Sequence, residues 1–344
     1  MRARTIWFSR SAVAAAAALS LAACGESPAP PVKTADDAPG ASTTTAPPPA
    51  EAPSSAPTAA ATAAPTTVMV GAPATTAAPV VDGHVFKKKL PAIGAKVIES
   101  ETKTTSLTLD VTPKPKAKPI QAVRSDRSTI EKTVEVLAVS ADAITKVKVT
   151  YKTHSKVEKK DAKESATTSP VAGKTYVVEA KDGAVTVLTD KGAAAPADET
   201  KAVQDDFKKL GKPNDLAKAI PDTPIKIGDR VDAIGQALQA RVTKDDDAGT
   251  KTTVESTAVT LTRVNDKGGV KTGVFDLAFN LTVEKDSLII RMKVKGTVEV
   301  RMEDGFPVTM SLQAPTTLAT PDGAPGPKIS GSGVSTMEGT RQVL

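Results

Sequence analysis

Apolar and polar residues alternate along much of the last 260 or so residues of this chain. The segments KVIESETKTTSLTLDV at residues 96–111 and AITKVKVTY at residues 143–151 show the pattern clearly. A period of two is typical of a β-strand with one buried face, because successive side chains point to opposite sides of the strand. The pattern therefore predicts a body built mainly of strands.

The strand pattern repeats itself between 122 and 124 positions further along the chain. The matching pairs are TIEKT at 129–133 with TVEST at 253–257, GKTYV at 173–177 with GTVEV at 296–300, and Asp182-Gly183 with Asp304-Gly305. An Asp-Gly pair between alternating runs indicates a tight turn, because glycine accepts a positive φ. We interpret the repeat as a duplicated β-meander with halves at about 94–190 and 250–338. Chance similarity among strands rich in Val and Thr is the alternative.

Between the two halves, at about 197–243, the period changes to that of a helix. Val203, Phe207 and Leu210 fall on one helical face, and Gly211 and Pro213 end the segment. We expect Asn214 to cap a short helix that runs through Ala219. A further helix, capped by Asp229, is predicted from the apolar steps at Val231, Ile234, Leu238 and Val242, with a strand as the alternative.

The predicted fold class is therefore mainly β (α+β). We expect a large curved antiparallel sheet, formed by a duplicated β-meander, with two or three helices inserted between the halves. Residues Lys328 to Met337 are expected to form a last edge strand, weakened by Gly331 and Gly333. This outline resembles the half-barrel of Lol-type lipoprotein carriers and related envelope lipid-binding lipoproteins, without sharing a diagnostic motif with them.

The first 80 residues have a different composition from the body at 81–344. Residues 1–23 combine Arg2, Arg4 and Arg10 with an apolar run at 11–19, which is the layout of a cleaved signal peptide. Residues 25–80 contain 12 prolines and no aromatic residue. Such a segment buries too little apolar surface to offset the entropy of ordering it. We expect residues 24–80 to be a lipidated cysteine followed by a disordered linker.

Cys24 is the only cysteine of the chain and ends the run Leu21-Ala22-Ala23-Cys24. This run resembles the lipobox of bacterial lipoproteins. The resemblance implies cleavage before Cys24, acylation of its thiol and attachment to a membrane of the cell envelope. Gly25 follows the cysteine, and by the same resemblance the outer membrane is favoured if the organism has one. A secreted protein with a stray cysteine is the alternative.

Composition narrows the possible chemistry of the mature chain. It carries 42 basic and 39 acidic residues, a balance that argues against a nucleic-acid partner. The two histidines, His84 and His154, lie outside any metal-like spacing and are predicted to be solvated. With Cys24 acylated, no thiol remains for catalysis or zinc binding. We therefore expect no metal, no cofactor and no enzymatic activity.

Two functions remain. The leading hypothesis is a binding module for an apolar ligand or an acylated partner, with Phe275, Leu277 and Phe279 lining an open cavity. The alternative is a structural or protein-interaction component of the envelope with a solid core. An enzyme would need convergent carboxylates, such as Asp205 or Asp206 near Glu179, and the sequence gives no reason to expect such a cleft.

Overall fold

The computed structural model describes residues 83–113, 118–244, 250–285 and 287–344. Cys24, the predicted signal peptide and the predicted linker at 24–80 lie outside the described residues. Three helices and eleven strands occur in the described part of the chain. The helices are α1 Ala197–Phe207, α2 Asp215–Ala219 and α3 Asp232–Lys244. The strands are β1 Lys96–Thr112, β2 Ile120–Val139, β3 Ile144–Lys160, β4 Lys163–Thr168, β5 Thr175–Lys181, β6 Ala184–Thr189, β7 Thr250–Lys267, β8 Val270–Lys285, β9 Leu288–Arg301, β10 Pro307–Ala319 and β11 Lys328–Val343.

All eleven strands belong to one curved antiparallel sheet that does not close. The strand order is β6-β5-β3-β2-β1-β11-β10-β9-β8-β7, and β4 pairs with β3 beside this path. The meanders β2-β3-β5-β6 and β7-β8-β9-β10 therefore lie on opposite sides of the central pair β1 and β11. All three helices fall between the two meanders in sequence. The predicted fold class, mainly β with a large curved antiparallel sheet, is confirmed.

The two Asp-Gly pairs lie between the third and fourth strands of their meanders, but the turns that they form differ. Asp182 and Gly183 have φ values of 51° and 79° and form a two-residue turn between β5 and β6. This is the backbone that a tight hairpin needs. In the second half, residues 302–306 separate β9 from β10, and the Asp304 carboxylate accepts hydrogen bonds from Arg301 and from the Phe306 N–H. The matched dipeptides thus mark a turn in both halves, but only Asp182-Gly183 forms a two-residue turn.

The prediction of an edge position for the last strand is wrong. β11 extends to Val343 and pairs with both β1 and β10 at the centre of the sheet. Gly331 and Gly333 lie opposite Leu109 and Leu107 of β1, which approaches them closely. A Cβ atom at Gly333 would collide with the Ser106 carbonyl oxygen and the Leu107 side chain on β1. The glycines therefore mark close strand packing.

Two of the helices follow the predicted pattern, and the third begins later. Val203 and Phe207 of α1 are fully buried, and the Asn214 side chain caps α2 by accepting from the Leu216 N–H. α3 begins at Asp232, so the predicted cap at Asp229 is wrong. Residues 228–231 form backbone hydrogen bonds with the edge of β7 instead, which keeps them out of the helix.

The buried side chains form three hydrophobic clusters. The α1 cluster lies beneath α1 and includes Val136, Val147, Val149, Tyr151, Tyr176, Val178, Val203 and Phe207. The α3 cluster includes Leu107, Leu109, Phe279, Leu281, Met292 and Leu318, with Leu238 and Val242 of α3 packed against it. The Phe86 cluster includes Phe86, Ile225, Val231, Leu261, Phe275 and Val298.

Candidate functional site

A row of charged side chains crosses three central strands on the face that also carries buried apolar residues. Glu99 and Glu101 of β1 lie on the same face as the buried Val97 and Leu107, because their numbers have the same parity. The strand register places Lys132 of β2 on one side of Glu99 and Arg341 of β11 on the other. Antiparallel pairing therefore builds a row of alternating charge on the inner face of the sheet.

Helix α1 completes this row with a carboxylate. The Lys132 Nζ atom lies 2.5 Å from Asp206 Oδ2 and 3.4 Å from Glu99 Oε2. The Tyr151 hydroxyl donates to the same Asp206 oxygen at 2.8 Å. Arg341 Nε lies 3.0 Å from the other Glu99 oxygen. We call Glu99, Lys132, Tyr151, Asp206 and Arg341 the ionic cluster.

An irregularity in β3 adds a histidine to the surroundings of this cluster. The register between β2 and β3 shifts at Lys152, so that Lys132 faces Tyr151 while Glu131 faces Thr153. One extra residue lets Tyr151 and His154 share a face, and their rings stack with centroids 5.9 Å apart. The prediction of a solvated His154 is wrong: the residue is half-buried, and its Nδ1 atom is buried without a hydrogen-bond partner among the described residues.

The cluster holds its charges because each buried ion has an opposite neighbour. Burial alone would lower the pKa of Lys132, but Asp206 and Glu99 outweigh burial and raise it. Burial alone would raise the pKa of Asp206, and Lys132 and Tyr151 more than compensate and lower it. Burial, with Asp206 alongside, raises the pKa of the Tyr151 hydroxyl. Lys132 and Asp206 thus stay ionised at neutral pH, which suits an ion pair and does not suit a general acid or base.

A second carboxylate of α1 makes a parallel set of contacts. The Tyr176 hydroxyl donates to Glu199 at 2.5 Å, and Lys174 Nζ lies 2.7 Å from the other oxygen of the same carboxylate. Glu199 and Asp206 are seven residues apart, about two helical turns, so both point towards the sheet. Each end of α1 is therefore held by one tyrosine of the sheet and by one lysine, of which Lys174 directly precedes β5.

Four members of the ionic cluster also line a cleft with a volume of about 60 Å³: Glu99, Lys132, Asp206 and Arg341. Its other walls come from α1, the start of β10 and the end of β11, and include Asp205, Lys208, Lys209, Met310, Gly339 and Thr340. A drug-sized apolar ligand occupies a pocket of roughly 300 Å³ or more. The cleft is smaller than that, and both charged and apolar side chains line it, so it does not fit a drug-sized apolar ligand.

The side chains proposed to line an apolar cavity lie elsewhere. Phe275 is 3% exposed within the Phe86 cluster, where its ring centroid lies 5.2 Å from that of Phe86. Phe279 is 6% exposed within the α3 cluster, and Leu277 packs against the Phe86 cluster. None of the three lines the cleft.

Asp205 and Asp206 do meet other carboxylates, but not the one considered from the sequence. Glu179 pairs with Lys146 at 2.9 Å, while Glu99 and Glu101 share the cleft with the two aspartates. Sequence reasoning missed Lys132, Glu99 and Glu101. The available signal was the strand alternation: in each strand these charged residues share odd or even numbering with the buried apolar residues, which places them on the same face.

No group of three or more His, Cys, Asp or Glu side chains among the described residues could hold a metal ion. No helix in the described part of the chain is long and apolar enough to cross a membrane.

Comparisons with known proteins add little to this picture. No protein-family model matches the chain, and no curated protein matches it. Among solved structures, the chain is similar to DynF from the dynemicin biosynthesis pathway of Micromonospora chersina, with 10% sequence identity and a TM-score of 0.15. The similarity covers 78% of this chain and 92% of that one. At this TM-score it carries no argument about fold or activity.

Proposed function

We propose that this protein is a lipid-anchored component of the bacterial cell envelope whose β-body takes part in non-enzymatic protein interactions. The anchoring proposal is supported by the lipobox-like run ending at Cys24 and by the signal-like residues before it. Two or more acyl chains on this residue would give stable attachment. With Gly25 at the next position, an outer-membrane location is proposed for an organism that has such a membrane.

The observation that carries the interaction role is the burial of the side chains that were expected to line an apolar cavity. The aromatic side chains best placed by sequence to line a cavity lie in packed clusters, and the cleft beside the ionic cluster is small and charged. Because these side chains do not line an open cavity, we propose the outer surface and the strand edges as the means of recognition. The carrier of an apolar ligand or acylated partner remains the second proposal, because Phe275, Leu277 and Phe279 lie in or against apolar clusters of the curved sheet.

The anchor is tested by metabolic labelling with an alkyne fatty acid in the native host. We expect the full-length chain to carry the label and Cys24→Ser to lose it. An adjacent substitution, Gly25→Ser, serves as the matched control and should keep the label. Equal labelling of the native chain and Cys24→Ser would contradict the anchor.

The role of the body is tested by two measurements on protein from its own envelope. Native mass spectrometry should show the chain without co-purifying lipid, and crosslinking in intact cells should give discrete adducts with another protein. Bound lipid in stoichiometric amount would favour the apolar-ligand proposal. No adduct with crosslinkers of several lengths would contradict the interaction role.

A further inference from the structure

The sheet has three edges, and two of them are covered. On β6, the carbonyl of Val185 accepts from Gln204, the carbonyl of Val187 accepts from the Ala195 N–H, and the Thr189 N–H donates to Ala193. On β7, the backbone of Val259 and Leu261 bonds residues 228–231, and the Val254 carbonyl accepts from Gln239. Covering an edge in this way prevents unwanted strand pairing.

The third edge, that of β4, is open. β4 pairs only with β3, and all six of its residues are exposed. The Ser169 N–H bonds the His154 carbonyl, so by alternation Lys163, Ser165 and Thr167 direct their backbone groups towards β3. The N–H and C=O groups of Glu164, Ala166 and Thr168 therefore point away from the sheet. Among the described residues, no group bonds to these three positions.

The open edge is held in a fixed position. Asp161, at the β3–β4 turn, has a φ of 53°. Its N–H donates to the Val123 carbonyl, and its carboxylate accepts from the Val123 N–H at 2.9 Å. The turn is therefore tied to β2, and β4 presents a preformed template. A preformed edge binds with a smaller loss of conformational entropy than a mobile one.

A row of positive charge leads to this edge. The register places Arg124 of β2 beside Lys160 of β3, and Lys160 beside Lys163 of β4, on one face of the sheet. Within the described part of the chain, none of the three forms an ion pair within 4.0 Å. The pKa of the nearby Glu158 is lowered mainly by Lys156 and further by Lys160 and Arg124, so these two cations have an acidic neighbour, whereas Lys163 at the open end of the row does not act on Glu158. Like charges directly opposite each other are unfavourable, and an acidic residue in the next strand would relieve them.

We propose that the β4 edge, Glu164 to Thr168, binds an extended segment of a partner protein as an added strand, with an acidic side chain of that segment beside Lys163. The inference rests on the proposed interaction role and names its surface. Main-chain hydrogen bonds to Glu164, Ala166 and Thr168 supply binding, and the Arg124–Lys160–Lys163 row selects the acidic residue.

The test uses the full-length chain in detergent and two nine-residue peptides of alternating Thr and Val, identical except for Asp or Lys at the centre. Backbone amide NMR shifts of Glu164, Ala166 and Thr168 report binding. We expect the Asp peptide to bind up to about fivefold more tightly than the Lys peptide. Lys163→Glu should reverse this order.

Two variants of one residue separate strand addition from simple charge attraction. Ala166→Pro removes an outward N–H and should abolish the edge shifts, while Ala166→Ser keeps that N–H and should bind like the native chain. Equal binding of the two peptides, an order unchanged by Lys163→Glu, or full binding by Ala166→Pro would overturn the proposal. The Lys163→Glu measurement stands on its own if the proline variant does not fold.

Other occupants give distinct results. Vesicles of phosphatidylglycerol that shift the edge amides when neither peptide does would identify an anionic surface and overturn the proposal. A concentration-dependent dimer by sedimentation that Ala166→Pro dissociates would identify a second copy and overturn it as well. If the peptides fail while crosslinking in cells still captures a protein, the edge proposal falls and the interaction role stands.

Discussion

The two helix-covered parts of the inner face are stabilised in different ways. In the α1 cluster, the helix buries Val203 and Phe207 and also directs Glu199 and Asp206 to tyrosine and lysine partners on the sheet. In the α3 cluster, Leu238 and Val242 are only partly buried, and the Gln239 amide donates to the Val254 carbonyl. Helix α1 is held by apolar packing together with ionic contacts. Helix α3 is held by apolar packing together with one hydrogen bond from a side-chain amide.

This difference shows how position is specified. Apolar contact is not directional, so it allows α3 small displacements at little cost. A buried Lys–Asp pair fixes position more strongly, because separating either ion from the other is costly in a medium of low dielectric. We therefore expect α1 to have one defined position and its stability to depend on charge. We expect α3 to be less tightly positioned and its stability to depend little on charge.

The largest expected effect tests this charge dependence. Asp206→Asn leaves Lys132 buried without its main counter-ion, and we expect the free energy of unfolding to fall by about 3–5 kcal/mol. The measurement is chemical denaturation of the full-length chain. Asp205→Asn, at the exposed neighbouring position, should change the free energy of unfolding by less than about 0.5 kcal/mol. Equal effects from the two variants would remove the distinction between the two parts of the sheet.

The next effect probes the side of the sheet that α3 covers. Gly333→Ala places a methyl group against the Ser106 carbonyl and Leu107, a member of the α3 cluster, and should destabilise the protein by about 1–3 kcal/mol. Gly339→Ala in the same strand meets atoms only at 3.8 Å and should be nearly neutral. Thermal unfolding of both variants checks this, and a neutral Gly333→Ala would show that β1 and β11 can separate at no cost.

A matched pair of valines compares the two helices directly. Val203 of α1 is fully buried, whereas Val242 of α3 is half-buried. Removing two buried carbon atoms costs about 0.8 kcal/mol each. We therefore expect about 1.5–2 kcal/mol for Val203→Ala and less than about 1 kcal/mol for Val242→Ala by urea denaturation. A larger loss for Val242→Ala would reverse the comparison.

The smallest expected effect is a pH dependence confined to the surroundings of the ionic cluster. Burial lowers the pKa of His154 below its ordinary value of 6.5, although Asp206 opposes this. The unfolded chain then binds the proton more readily, so this stabilising contribution is complete above pH 6.5 and is lost as the pH falls below it. We expect His154→Gln to reduce the slope of unfolding free energy against pH between pH 5 and 7. An unchanged slope in that interval, with unchanged stability above pH 7.5, would contradict the assignment.

Local pattern was sufficient where neighbouring residues decide the structure. The alternation in β1 and β3, the Asp182-Gly183 turn, the apolar face of α1 and the Asn214 cap all depend on residues a few positions apart. Such features follow from side-chain direction and backbone preference alone. The same reasoning went wrong at Asp229, where pairing with β7 holds residues 228–231 outside the helix.

The candidate site depended on contacts that local pattern does not contain. Glu99, Lys132, Asp206 and Arg341 come from four different elements, and Lys132 meets Asp206 across 74 residues of sequence. The alternation within each strand places the strand charges on the buried face. It does not predict which charged residues from distant segments they pair with. Likewise, the same pair of glycines that predicts a weak edge strand marks a tightly packed centre once β1 and β10 flank it.

The sequence by itself determined the strand-rich body, the helical insert between two meanders and the lipobox-like run at Cys24, because each is written in a short and continuous segment. Only the tertiary structure decided which strand became central, which charges were neutralised and which edge stayed open. Those outcomes depend on pairing between segments that are far apart in the chain. The favourable energy of such pairing comes from the register and burial of both partners together, and neither segment specifies it alone.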